Sequence, residues 1–221
     1  LTPLVDELRS MDAASLTGLD GSILVGGLPA AAVDYERSIR SWFPLVILAV
    51  SLGSFLVLSV AFRSLLVPLK AVLLNLLAVF AAYGALVLVF VDGLGVGLFG
   101  LDAPIHAVFP ATPVLVFCAA FGISMDYEVF LIARIAEARR AGHDDFAAII
   151  EGVALTGPLI TSAAAIMVTI FCAFALGDVL PTQILGFALA AVVALDALLI
   201  RVALGPAMIR IAGRFNWWPG S

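Results

Sequence analysis

The sequence predicts an all-α polytopic membrane protein with a short α/β piece of an external domain at its N-terminus. Three observations carry this. Of 221 residues, 63% are hydrophobic and 12% charged, and the mean hydropathy is +1.19; a soluble domain has about 45–50% apolar and ~25% charged residues. The apolar residues gather into five long runs, each near the ~20 residues that cross a bilayer. Basic residues occupy alternate links between those runs, as positive-inside topology requires.

Residues 1–40 are the one sizeable polar stretch. Leu4 to Met11 reads as a short helix and Gly21 to Gly27 as a strand ending in a turn. Pro29 suits the first turn of a helix through Ala30–Arg40. So short a piece cannot build a core of its own, and it is predicted to be the end of a larger external domain. Residues 41–214 then form a bundle of five spans, at about 42–62, 69–91, 110–136, 155–176 and 182–210. Between the third and fourth, Asp144 is a candidate N-cap for a separate amphipathic segment, 143–154, whose Phe146, Ile149 and Ile150 would lie on the cytoplasmic interface. Residues 215–221, with the Trp217-Trp218 pair, form a cytoplasmic tail.

Orientation follows from charge. Arg63 and Lys70 lie in one link, Arg134, Arg139 and Arg140 flank another, and Arg210 and Arg214 follow the last span. The intervening links hold Asp92, Asp102 and Asp178 and no basic residue. The basic side is therefore expected in the cytoplasm, with the N-terminal segment and an odd number of spans starting outside. Nothing ahead of Leu1 would export that segment, so a longer protein with at least one preceding helix is expected. With 11 Lys plus Arg and no basic face, nucleic-acid binding is not expected. Cys118 and Cys172 lie in apolar runs and read as buried small hydrophobes; neither a metal nor another cofactor is expected.

Chemistry concentrates in Gly122 to Phe130, where Asp126 and Glu128 interrupt an apolar span. An ionisable residue within a span is costly and marks a site. Asp126 lies sixteen residues after Pro110 and Asp196 fifteen after Pro181, so each sits roughly 23 Å below its proline-marked outer end. Thr161 and Ser162, on the span running the other way, come to about the same layer, as does Ser124. Arg201 can pair with an acid or reach the headgroups; whether Asp196–Arg201 is functional or structural stays open. Gly122 shares a face with Asp126, and Gly186, Ala190 and Ala194 make a small-residue stripe for close helix packing. Asp196 projects from the opposite side of that helix. Asn75, Tyr83, His106 and Thr169 read as interhelical hydrogen bonders or interfacial anchors.

Gly122-Ile123-Ser124-Met125-Asp126-Tyr127-Glu128-Val129-Phe130 closely resembles the Gly-x-Ser-Met-Asp-Tyr-x-x-Phe signature of the MmpL family, within the resistance-nodulation-division (RND) superfamily. Val25-Gly26-Gly27, Thr161-Ser162-Ala163-Ala164, Asp196 to Arg201 followed by Gly205-Pro206, and Asn216-Trp217-Trp218-Pro219 are similar to it as well. Gly157-Pro158 departs from it, where many relatives have a basic residue after the glycine. The resemblance implies a proton-driven exporter of lipids or other hydrophobic small molecules in the bacterial cell membrane, and no enzyme. It implies two pseudo-repeated halves of six helices, each with an external porter segment. This chain would be the second half from the end of its porter segment onward. Asp126 and Tyr127 would be the proton relay, supported by Ser124, Thr161, Ser162, Asp196 and Arg201, and facing a like pair in the first half. The partners implied are that half, membrane lipids and a hydrophobic substrate, and a homo-oligomer is compatible with them. A secretion accessory or lipid sensor of the same superfamily is the alternative. An intramembrane aspartyl protease built on Asp126 and Asp196 lacks its Gly-x-Gly-Asp signature.

Overall fold

The computed structural model describes residues 2–11, 24–105 and 108–213. It divides into two compact units, Leu1–Val46 and Ile47–Ser221. In the first unit, helix α1 (Thr2–Ser10) and the start of α2 (Leu28–Phe62) share a small apolar cluster of Val5, Ala30 and Val33, with Val25 against it. Two ion pairs clamp them, Arg9 to Asp34 at 2.6 Å and Arg37 to Asp6 at 2.8 Å. The hydrogen bonds that Arg9 donates to Asp34 hold the guanidinium pKa above its ordinary value.

The expected α1 is present, but the strand at 21–27 is not supported. Among the described residues there is no strand, and residues 24–27 lead without pairing into α2; residues 12–23 lie outside the described residues. The N-terminal unit is therefore helical over α1 and the start of α2, and residues 24–27 between them are not helical. The helix predicted for 30–40 and the first span are also one element. Pro44 forfeits one backbone bond inside α2, yet the sequence places no glycine between residues 28 and 52 to stop the helix.

Among the described residues, five helices are long and apolar enough to cross a membrane: Leu28–Phe62, Leu66–Val91, Ala111–Arg140, Asp145–Ala175 and Leu180–Ile211. The second is α3 (Leu66–Leu86) continued by a π-helical turn, Val87–Val91. The third is α4 (Ala111–Arg140) and the fourth α5 (Asp145–Ala175). The fifth joins α6 (Leu180–Leu195), a π-helical stretch Asp196–Leu204, and α7 (Gly205–Ala212). The fifth is the axis of its unit: 53% of its most apolar window is buried against 6% for α2, and α6 packs on α3, α4 and α5.

Two glycines set how closely those helices approach. A Cβ on Gly186 of α6 would stand 2.6 Å from the Ala175 nitrogen and 2.7 Å from the Phe171 oxygen of α5. A Cβ on Gly152 of α5 would stand 2.5 Å from a side-chain carbon of Ile135 on α4. Neither backbone pair could meet at that distance with a larger residue.

Asp144 caps α5 as expected, its carboxylate accepting from the Ala147 N–H at 2.6 Å. The segment 143–154 is not a separate surface helix, however. It runs unbroken through Pro158 into the fourth span, because its apolar stripe has a core to enter: Ile149 packs with Leu131, Ile135, Ala138 and Ala148. Cys118 and Cys172 are exposed on the bundle surface rather than buried. In a membrane-facing layer, an apolar residue has no reason to turn inward, so hydropathy alone does not give its side.

At the acidic end, the link between α3 and α4 folds back. Ile105 donates from its N–H to the Phe90 carbonyl at 2.8 Å, and Phe90, Phe99 and Phe187 meet tilted or edge to face with centroids 4.9–5.6 Å apart. Gln183 Nε2 donates to the Phe99 and Gly177 carbonyls, fastening two links to α6. Tyr83 donates its hydroxyl to the Pro113 carbonyl, joining α3 to α4. Thr169 returns its hydroxyl to Ala165 of its own helix. His106 and the 215–221 tail lie outside the described residues.

Candidate functional site

The polar layer is built where α6 changes its winding. In an α-helix residues five apart lie about 140° round the axis, which would hold Asp196 and Arg201 apart. Across Asp196–Leu204 the helix is π-wound, with the Gly205 N–H reaching back to the Ile200 carbonyl, and residues five apart then share a face. Pro206 follows directly, and it has no N–H with which to keep the α ladder. The two side chains consequently pair: Arg201 Nε lies 2.8 Å from Asp196 Oδ2, and both residues are 5% exposed.

Arg201 also crosses to α4. Its Nη2 donates to the Ser124 carbonyl, and to the Ser124 hydroxyl at 3.1 Å. That hydroxyl in turn donates to Asn75 Oδ1 of α3 at 2.5 Å. The guanidinium carbon lies 5.3 Å from the centroid of the Tyr127 ring. One arginine thus ties three spans together at a level where apolar side chains surround it. Ala120, Ser124, Tyr127, Ile160, Asp196 and Arg201 line a cavity of about 10 Å³, close to the volume of one water. Asp196 Oδ1, Arg201 Nη1 and Asn75 Nδ2 are buried without a partner among the described residues.

The expected site residues divide into those joined here and those not. Ser124, Tyr127, Asp196 and Arg201 are brought together. Asp126 is not in this network; it is exposed on α4, next to half-buried Tyr127 and Glu128. Thr161 and Ser162 are exposed as well, and their hydroxyls donate to carbonyls of their own helix, Thr161 to Gly157 at 2.8 Å and Ser162 to Leu159 at 3.0 Å. The side of α5 that faces the cavity is instead apolar, through Ile160 and Ala164. The third helix of the layer is α3, through Asn75. Sequence reasoning read Asn75 as an interhelical bonder without attaching it to the site. The available signal was a lone amide in an uncharged span, which must find a partner when buried.

The small-residue stripe also splits. Gly186 and Ala190 are buried and Ala194 half-buried on α6, while Gly122 is exposed and a Cβ there would meet nothing within 4 Å. Gly122 and Asp126, one turn apart, form an open strip on α4.

Comparison with known proteins identifies the family. The profile of the MMPL family matches residues 5–221. The heme uptake protein MmpL11 of Mycobacterium tuberculosis is 40% identical over 194 residues, 88% of this chain and 20% of that protein. The mycolic acid-containing lipids exporter MmpL11 of Mycolicibacterium smegmatis is 37% identical over 215 residues, 97% of this chain and 22% of that protein. The trehalose monomycolate exporter MmpL3 of the same organism is 36% identical over 214 residues, 97% of this chain and 20% of that protein. The chain therefore spans about a fifth of the length of these relatives. From the five spans, the Asp-Tyr signature and a family match over nearly its whole length, this chain belongs to the MMPL family of multi-pass bacterial membrane transporters.

Proposed function

We propose that the chain is the C-terminal membrane portion of a proton-driven exporter of lipids or other hydrophobic small molecules, in which Asp126 and Tyr127 relay the proton. The observation that carries this is the exposure of Asp126 on a span whose neighbouring acid, Glu128, is half-buried. A lipid-facing aspartate at the centre of a helix costs about 2.5–3.5 kcal/mol on the insertion scale, so this face is expected to be covered by protein in the whole transporter. The first half of the transporter, with a matching acid, is the cover the signature implies. Asp196, by contrast, is held by Arg201 and serves as the fixed wall behind the relay. Tyr127 stands between the two, its ring against the guanidinium.

In this reading the arginine-bearing end is cytoplasmic and the N-terminal unit belongs to the extracytoplasmic porter segment. Proton uptake by Asp126 removes a charge from the interface between halves, and the charge-neutral interface closes. The transmembrane potential supplies ~2.3 kcal/mol per proton per 100 mV, enough to bring an equilibrium with a gap of that size to balance and to reverse one of about half that gap. The lipid exporters among the relatives support a lipid substrate, and the heme uptake protein supports a wider range of hydrophobic cargo. The test is reconstitution of the full-length transporter in vesicles with an internal pH dye and a labelled lipid. Asp126→Asn should insert and fold but neither acidify the lumen nor move lipid. Export at the wild-type rate in that variant sinks the proposal.

A further inference from the structure

At the arginine-bearing end of the bundle, the first turns of α5 and the length of α7 leave a groove of about 580 Å³ between them, within the range of ligand pockets. Its floor is fixed by core packing, since Ile149 belongs to the cluster with Leu131 and Ile135, with Val153 and Ile209 packed against it. Ile150, Pro206 and Ile211 form its sides. Among the described residues, Arg210 is the one charged residue in the lining, its guanidinium held 4.9 Å from the centroid of the Phe146 ring.

The neighbouring acids are already engaged. Asp145 pairs with Arg139 at 3.0 Å, Glu151 with His143 at 3.4 Å, and Asp144 caps α5. Among the described residues no carboxylate pairs with Arg210. Lys70, which donates to the Met208 carbonyl of α7 at 2.8 Å, adds a second cation to the same end. An apolar trough with an uncompensated guanidinium at its rim, at the level where span ends meet headgroups, matches one partner chemistry in both of its parts.

We propose that this groove binds an anionic phospholipid of the leaflet on the arginine-bearing side, with an acyl chain along Ile149, Ile150 and Val153 and the phosphate on Arg210. Arginine donates two parallel N–H bonds to a phosphate, and basic pockets between spans are sites for anionic headgroups. The site is separate from the Asp126 face and does not depend on the relay.

Native mass spectrometry of the detergent-solubilised full-length transporter tests it, with phosphatidylglycerol or phosphatidylcholine added at equal concentration. One basic residue near a headgroup corresponds to about fivefold in affinity. Wild type should retain phosphatidylglycerol about fivefold better, Arg210→Gln should lose that preference, and Ile150→Trp, which fills the trough, should lower retention of both lipids. Equal retention of the two lipids by wild type, or an undiminished preference in Arg210→Gln, overturns the proposal. So does protection of an Ile150→Cys thiol from a maleimide in lipid-free detergent, because a protein segment would then occupy the groove.

Discussion

Replacing Arg201 by Met is the perturbation that tests the polar layer most directly. The arginine makes a 2.8 Å ion pair with Asp196, a 3.1 Å bond to the Ser124 hydroxyl, a bond to the Ser124 carbonyl and a ring contact with Tyr127. Methionine keeps much of the volume and none of the charge. Asp196, whose Oδ1 already lacks a partner, then has neither oxygen satisfied by protein. Removing one member of a buried ion pair costs about 3–5 kcal/mol. The double variant Asp196→Leu with Arg201→Met removes the orphan and should return to within about 1 kcal/mol of wild type, since buried pairs exchanged for apolar groups are often neutral. Equilibrium unfolding of the full-length transporter in mixed micelles reads both. A loss below about 1 kcal/mol in Arg201→Met alone refutes the reasoning, as does a double variant no better than the single one.

Two further outcomes follow from the packing. Gly186→Ala places a carbon 2.6–2.8 Å from three atoms of α5, two of them backbone, so it should cost about 1–3 kcal/mol and lower the midpoint of thermal unfolding. Gly122→Ala adds a Cβ that meets nothing within 4 Å in this chain; a lowered midpoint in the full-length transporter is expected from the half that covers this face, and an unchanged or raised one, by up to about 1 kcal/mol of helix propensity, would argue against that cover. At the start of α5, Asp144→Ala removes the bond to the Ala147 N–H and should cost about 1 kcal/mol, which Asp144→Ser should restore. Faster amide exchange at Ala147 in the first variant alone would register it.

Much of the fold was legible because membrane spans announce themselves by length and hydropathy. The Asp144 cap was legible too, since an acid after a glycine stop and before an apolar stripe has few other uses. What hydropathy could not give was continuity. The breaks expected after residues 40 and 154, where polar stretches give way to apolar ones, are the ones the helices run through, and Pro44 and Pro158 just beyond them each cost only one bond. The sides taken by Cys118, Thr161 and Ser162 were equally hidden, because both the lipid and the core of a bundle accept small residues. Asp196 with Arg201 was the subtler case. Their spacing argued against a shared face on α geometry, and only the π-winding before Gly205-Pro206 removes the objection. The Asp126 signature was legible as a motif; its exposure was not, since a face that another part of the protein covers has the same residues as a buried one.

The π-wound stretch has a consequence for how the last span can move. An ion pair between residues five apart exists only while the backbone keeps its wider turn. Rewinding Asp196–Leu204 to an ordinary α-helix would carry Arg201 about 140° away from Asp196 and withdraw it from Ser124. The pair is therefore a gauge of backbone register. The link between α3, α4 and the last span holds only as long as that one winding holds.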